Sequence, residues 1–276
     1  MKTLLTRSIS GIIFVSLVVF CLLADEKFML ALFGLISAIG LYEYHLLFSS
    51  QKRFNYPTII SSVFGALCFL LMMKPLVYEN QSGLDGINHA ILHLTITILV
   101  FCVFQLIYKR KELLSNMLFL LSGIIYIVIP LCMGAILHWQ DQGVFPILLG
   151  LFLLVWTNDT FAYICGNLFG KHKLIISISP NKTWEGSIGG FLFTVLAGFL
   201  IDTYLLHGDY FWTIAAILVS PAAVIGDLFE SALKRKNNVK DTGNIMPGHG
   251  GILDRFDAMF FAIPFFYIWH VIYTFI

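Results

Sequence analysis

The sequence predicts an all-α, polytopic integral membrane protein of about nine transmembrane helices, N-terminus cytoplasmic and C-terminus outside. Three observations predict it. The 276 residues are 58% hydrophobic and only 12% charged, with a mean hydropathy of +0.86, outside the soluble globular range. Apolar runs recur along the whole length. Lys and Arg fall almost entirely on alternate connections between those runs.

The runs occupy residues 4–23, 28–48, 57–73, 90–108, 117–138, 144–165, 187–206, 211–233 and 256–276. At about 1.5 Å per residue, most are long enough for a hydrocarbon core of roughly 30 Å, the third being short. The first has Lys2 and Arg7 at its N-terminal end, as a signal peptide would, but it is long and its Leu22-Leu23-Ala24 end lacks a small-x-small cleavage pattern. A membrane anchor is the expectation. One set of connections holds 15 of the 17 basic residues, and the other only Lys27 and Lys74. An even number of spans would break this alternation. The five cysteines are scattered one per span without metal or redox spacing, and His89 with His93 lacks a third ligand. No internal repeat or low-complexity linker divides the chain, so the expectation is a single membrane domain, 1–276, with scaffold helices over 1–140 and chemistry over 141–276.

Acidic residues give the second half its character. Asp159, Glu185, Asp227, Glu230, Asp254 and Asp257 lie within or next to spans six to nine, near their cytoplasmic ends. An unpaired carboxylate there is costly, so each needs compensation. Glu43 reads as an interfacial residue beside Tyr42 and Tyr44, and Asp202 as facing outer water. In GDLFESALKRKNNVKD, residues 226–241, Asp227, Glu230, Ser231 and Lys234 recur at three- and four-residue steps and share a helix face. A polar loop follows, then PGHGGILDRFDA, residues 247–258, in which Asp254 and Asp257 share the first turn of the last span.

Two carboxylates from different helices suit a hard divalent cation such as Mg²⁺, whose other positions take water and phosphate oxygens. A glycine-rich turn before a helix suits an anion, and Lys234, Arg235, Lys240 and Arg255 add phosphate donors. Together they describe a polyphosphate site open to the cytosol. Singly, each residue has a plainer reading: first-turn acids at Asp254 and Asp257, or positive-inside anchors at 234–236. A second polar patch combines Asp159, Tyr163 and Gly166 with Lys182, Thr183 and Glu185. Glu185 and Gly186 have a capping and packing alternative, and Gly186, Gly189 and Gly190 allow close helix approach.

The run from Ser231 through Lys234-Arg235, Lys240-Asp241-Thr242-Gly243, Pro247-Gly248-His249-Gly250-Gly251 to Asp254-Arg255-Phe256-Asp257 resembles the C-terminal signature of the phosphatidate cytidylyltransferases, or CDP-diacylglycerol synthases. It spans 27 residues, departing only at Met246, an apolar swap of similar volume. Asp159-Thr-x-Ala-Tyr163, Phe169-Gly170-Lys171 and Ser179-Pro-x-Lys182-Thr183-x-Glu185-Gly186 are also similar, so the likeness covers the chain from about residue 156.

The resemblance implies transfer of a cytidylyl group from CTP to phosphatidate, giving CDP-diacylglycerol and pyrophosphate, in a bacterial cytoplasmic (inner) membrane with the active site facing the cytoplasm. By that analogy Asp227 and Asp254 are the metal ligands. Asp227, Lys240, Asp241, Asp254, Arg255 and Asp257 form the catalytic set. Asp159, Lys182, Thr183, Glu185, Ser231, Lys234, Arg235, His249, Gly250 and Gly251 bind substrate. Mg²⁺ is the implied cofactor; a second, monovalent cation and a homodimer are further options it raises. The expected partners are CTP, phosphatidate and membrane lipid, and no nucleic acid. A transporter for an anionic or cation-coupled solute is the alternative, but it would place ionisable groups near the midplane of related halves. A CDP-alcohol transferase would carry an acidic motif that this chain lacks.

Overall fold

The computed structural model describes residues 2–48, 56–77, 95, 113–140, 145–204, 209–243, 245 and 250–275. Nine α-helices and one hairpin are described in chain order: α1 Lys2–Leu23, α2 Glu26–Phe48, α3 Tyr56–Val77, α4 Leu113–Gly123, α5 Ile129–Gln140, α6 Ile147–Phe169, β1 Lys173–Ile175, β2 Ser179–Thr183, α7 Trp184–Tyr204, α8 Phe211–Lys236 and α9 Leu253–Phe275. A π-helical turn, Ile124–Val128, joins α4 to α5, so together they form the fifth predicted run. Among the described residues, six helices or joined helices are long and apolar enough to cross a membrane, and 9–23 and 59–74 are shorter apolar stretches. The predicted fourth span, 90–108, lies outside the described residues except for Thr95, as do His89 and His93.

The all-α expectation missed the hairpin. β1 and β2 pair antiparallel, Lys173 opposite Thr183 and Ile175 opposite Ser179, with an irregularity between. Helical periodicity cannot reveal so short an exception. Gly170, extended at the end of α6, releases the chain into it.

The chain forms two compact units: residues 1–140 with 242–253, and 141–241 with 254–276. In the first, α2 packs along α3 and meets α1, α4 and α5. Phe33, Phe69, Met29, Ile36, Leu41 and Met73 fill its core. In the second, α7 lies between α6 and α8. Gly186, Gly189 and Gly190 make the α6–α7 approach close: a Cβ on Gly190 would sit 2.8 Å from the Asn158 carbonyl, and one on Gly186 2.7 Å from that of Ala162. The helix-packing reading of these glycines therefore holds. Asp202 corrects its sequence reading. It is 2% exposed, its carboxylate accepting from the amides of Trp212 at 3.0 Å and Thr213 at 2.8 Å and from Thr213 Oγ1 at 2.6 Å. The first-turn amides of α8 lack helical partners, and Asp202 supplies them.

Candidate active site

The face of α8 predicted from residue spacing exists. Ser231 Oγ donates to Asp227 Oδ1 at 3.2 Å, one turn away. Lys234 Nζ, one turn beyond Glu230, donates to Glu230 Oε2 at 3.0 Å and to Asp254 Oδ1, at the start of α9, at 2.7 Å. Lys182, at the end of the hairpin, reaches Asp227 Oδ2 at 2.6 Å. The α8 and α9 backbones close because residue 226 has no side chain: a Cβ there would lie 2.5 Å from the Asp257 carbonyl oxygen and 3.1 Å from Ala258 Cα. The second unit thus gathers Asp227, Glu230, Asp254 and Asp257 around Lys182 and Lys234.

Asp159 joins them from α6. Its Oδ1 accepts from Asn158 Nδ2 at 3.3 Å, and Asn158 Oδ1 accepts from Ser220 Oγ of α8 at 2.6 Å. Asp159 interacts electrostatically with Asp227, Lys182 and Arg255. Asn158 and Ser220, both 1% exposed, were not recognised from sequence, where two small polar residues in apolar runs carry no motif.

Carboxylates outnumber cations in this cluster. The Asp257 carboxyl lies against that of Glu230, whose Oε1 is buried and, among the described residues, meets no N–H or amine donor. Two acceptor-only groups in contact call for a proton or a cation. Among the described residues no three Asp, Glu, His or Cys side chains are already arranged as a metal-ligand set. Lysine ammonium groups instead sit on the two expected ligands, Asp227 and Asp254. The donor set still fits Mg²⁺, which takes hard carboxylate oxygens and needs only one or two of them.

The remaining predicted residues divide. Arg235 is exposed, and its Nε donates to the Ile178 carbonyl at 3.3 Å, bracing the hairpin. Arg255 is exposed on α9, and Lys240 and Asp241 are exposed after α8. Glu185 is occupied with local structure: it accepts from the amides of Lys171 at 3.1 Å and His172 at 3.1 Å and meets His172 Nδ1 at 2.6 Å. Thr183 Oγ1 accepts from the Gly186 amide at 3.1 Å, capping α7. These two residues therefore build the hairpin that presents Lys182. Beside it, Trp184, Ile188, Phe191, Pro221, Ile225 and Leu228 line most of an apolar groove of about 450 Å³, whose edge adjoins Lys182 and Asp227 in sequence.

The glycine turn belongs to the first unit. His249 lies outside the described residues. Gly250 has φ 82°, a conformation suited to glycine. Gly251 is buried, and a Cβ on it would lie 2.5 Å from Glu43 Oε1 and from Thr242 Oγ1. Glu43 corrects its interfacial reading: it is 1% exposed and holds the loop rather than facing headgroups. A lone acid inside an otherwise apolar helix was the available signal.

Comparison with known proteins gives the family. A family model described as the Cytidylyltransferase family matches residues 5–273. A phosphatidate cytidylyltransferase of Staphylococcus saprophyticus is 34% identical over 94% of this chain and 95% of its own. That of Haemophilus influenzae is 32% identical over 94% and 96%, and that of Bacillus subtilis 30% identical over 96% of each. With similarity running through both units and not only the C-terminal signature, the chain belongs to the cytidylyltransferase family.

Proposed function

We infer that this protein transfers the cytidylyl group of CTP to phosphatidate, releasing pyrophosphate and forming CDP-diacylglycerol. The observation that carries this reading is the Lys182–Asp227 and Lys234–Asp254 pairing, built on a chain related end to end to phosphatidate cytidylyltransferases. The transporter alternative has no comparable support.

The chemistry asks little of a base. A phosphate monoester has a second pKa of about 6, so phosphatidate already offers an anionic oxygen at neutral pH. A P–O bond forms to the α-phosphorus of CTP, the α–β bridging bond breaks, and pyrophosphate carries away the electron pair. The protein's work is alignment and charge neutralisation. Asp227 and Asp254 are the proposed ligands of Mg²⁺, which when bound neutralises phosphate oxygens. Asp257, Glu230 and Asp159 supply surrounding negative charge. Lys182 and Lys234, exchanging carboxylate for phosphate, bind the triphosphate together with Arg235, Lys240 and Arg255. Asp241, Ser231 and the 249–251 turn complete the proposed set. One acyl chain of phosphatidate lies in the groove edged by Trp184 and Leu228. The N-terminus and active site face the cytoplasm across an inner membrane.

Purified protein in detergent, given labelled CTP and phosphatidate, should form CDP-diacylglycerol only with a divalent cation. Asp227→Asn or Asp254→Asn should lower turnover by about a thousandfold or more, roughly 4 kcal/mol of transition-state stabilisation, while the folded yield is retained. Turnover near the parent's in either variant would remove the ligand assignment.

A further inference from the structure

Glu43 is a carboxylate that the reaction described above does not use. It lies on α2, in the half of the chain that reads as scaffold, and is 1% exposed. Its oxygens accept from Ile252, Leu253 and Thr242: Oε1 from the Ile252 amide at 3.1 Å, and Oε2 from the Leu253 amide at 2.9 Å and Thr242 Oγ1 at 3.2 Å. Thr242 lies within the segment joining α8 to α9, Ile252 ends it and Leu253 opens α9. One side chain therefore ties two points ten residues apart along the chain. Two signature glycines make room for it. A Cβ on Gly243 would run into Glu43 Oε1, and one on Gly251 into both carboxylate oxygens.

The carboxylate is also fixed from behind. On α3, Gly65 lets α2 nest so closely that a Cβ there would lie 2.6 Å from Leu41 and 2.8 Å from the Ser37 carbonyl. Tyr44 bonds Ser122 of α4 at 3.0 Å, and a Cβ on Gly123 would lie 3.1 Å from the Tyr44 ring. A buried acid held on a closely packed helix, with two amides and a hydroxyl donating to it, is a preorganised support.

We propose that Glu43 is a positioning residue for cytidylyl transfer: from α2 it clasps Thr242 to Ile252 and Leu253 and thereby fixes the Gly250-Gly251 turn that runs directly into Asp254. The proposal rests on the transferase reading above. Gly251 on this account is small to admit Glu43, and the α2 scaffold takes part in catalysis through the clasp. Glutamine cannot replace the acid, because its amide nitrogen confronts an N–H or O–H donor wherever its oxygen is placed.

The test uses the full-length protein in detergent with CTP, phosphatidate and Mg²⁺. The parent must turn over first; an inactive parent refutes the transferase reading, not this one. Per folded molecule, Glu43→Gln should lower kcat by about tenfold or more, in line with losing hydrogen bonds to a charged group, and Glu43→Asp should recover part of it. Hydrogen exchange at Ile252 and Leu253 should accelerate in step. Thr242→Val should lower kcat about threefold, and adding it to Glu43→Gln should cost little more, since both cut one clasp. Exchange unchanged, or kcat and both KM values within twofold of the parent in the folded Glu43 variants, would overturn the proposal. If Glu43→Gln does not fold, Thr242→Val decides: parental kcat with parental exchange overturns it.

Discussion

Lys234 illustrates why charged side chains survive in membrane helices. Glu230 is 0% exposed and Asp254 nearly so, and the ammonium between them is their shared cation. Removing it leaves two buried carboxylates against Asp257, a change that costs about 3–5 kcal/mol where one partner of a buried pair is deleted. Lys234→Met should therefore lower the melting temperature of the detergent-solubilised protein steeply. Adding Glu230→Gln, which removes one of the stranded charges, should restore part of the loss; a single variant as stable as the parent would show that the pair carries no structural weight. Asp227, Glu230 and Lys234 were legible in the sequence because spacing along one helix fixes a common face, and Asp254 because it opens the next helix within the same signature. Glu43 was not, because its partners lie about 200 residues away and no local pattern reports so distant a donor.

The elements follow a similar division. Among the described residues, the long apolar runs are helices close to where hydropathy put them, since a membrane helix must satisfy its backbone internally and cannot stop within the hydrocarbon. The β1–β2 hairpin escaped, being only eight strand residues whose stability comes from Glu185 binding the amides of Lys171 and His172 and from Trp184 donating to the His172 carbonyl at 2.9 Å. This small element holds Lys182 against Asp227 and forms one edge of the apolar groove. Filling the groove separates the two substrates. Ile225→Trp should raise KM for phosphatidate by about tenfold, the equivalent of 1.4 kcal/mol of lost apolar contact, and leave KM for CTP unchanged. Equal effects on both KM values would place the lipid elsewhere.

At the scale of the molecule, the membrane crossings can be tested through the basic residues. Lys52 and Arg53 lie on one connection and Lys109, Arg110 and Lys111 on another, with α3 and the 90–108 run between them. Both clusters can be cytoplasmic only if the chain crosses an even number of times in that interval. Because α3 crosses once in the proposed topology, the 90–108 run must cross as well, and the total of nine spans then puts the two termini on opposite sides. Single cysteines at positions 53 and 110, in a chain freed of its own five, should both resist a membrane-impermeant maleimide in intact cells and react after permeabilisation. A cysteine added at the C-terminus should react without it. Were position 110 labelled in intact cells while 53 was protected, the 90–108 run would not cross. The C-terminal signature would then have to be outside or another crossing be lost, and a cytosolic nucleotide could reach the site only in the second case.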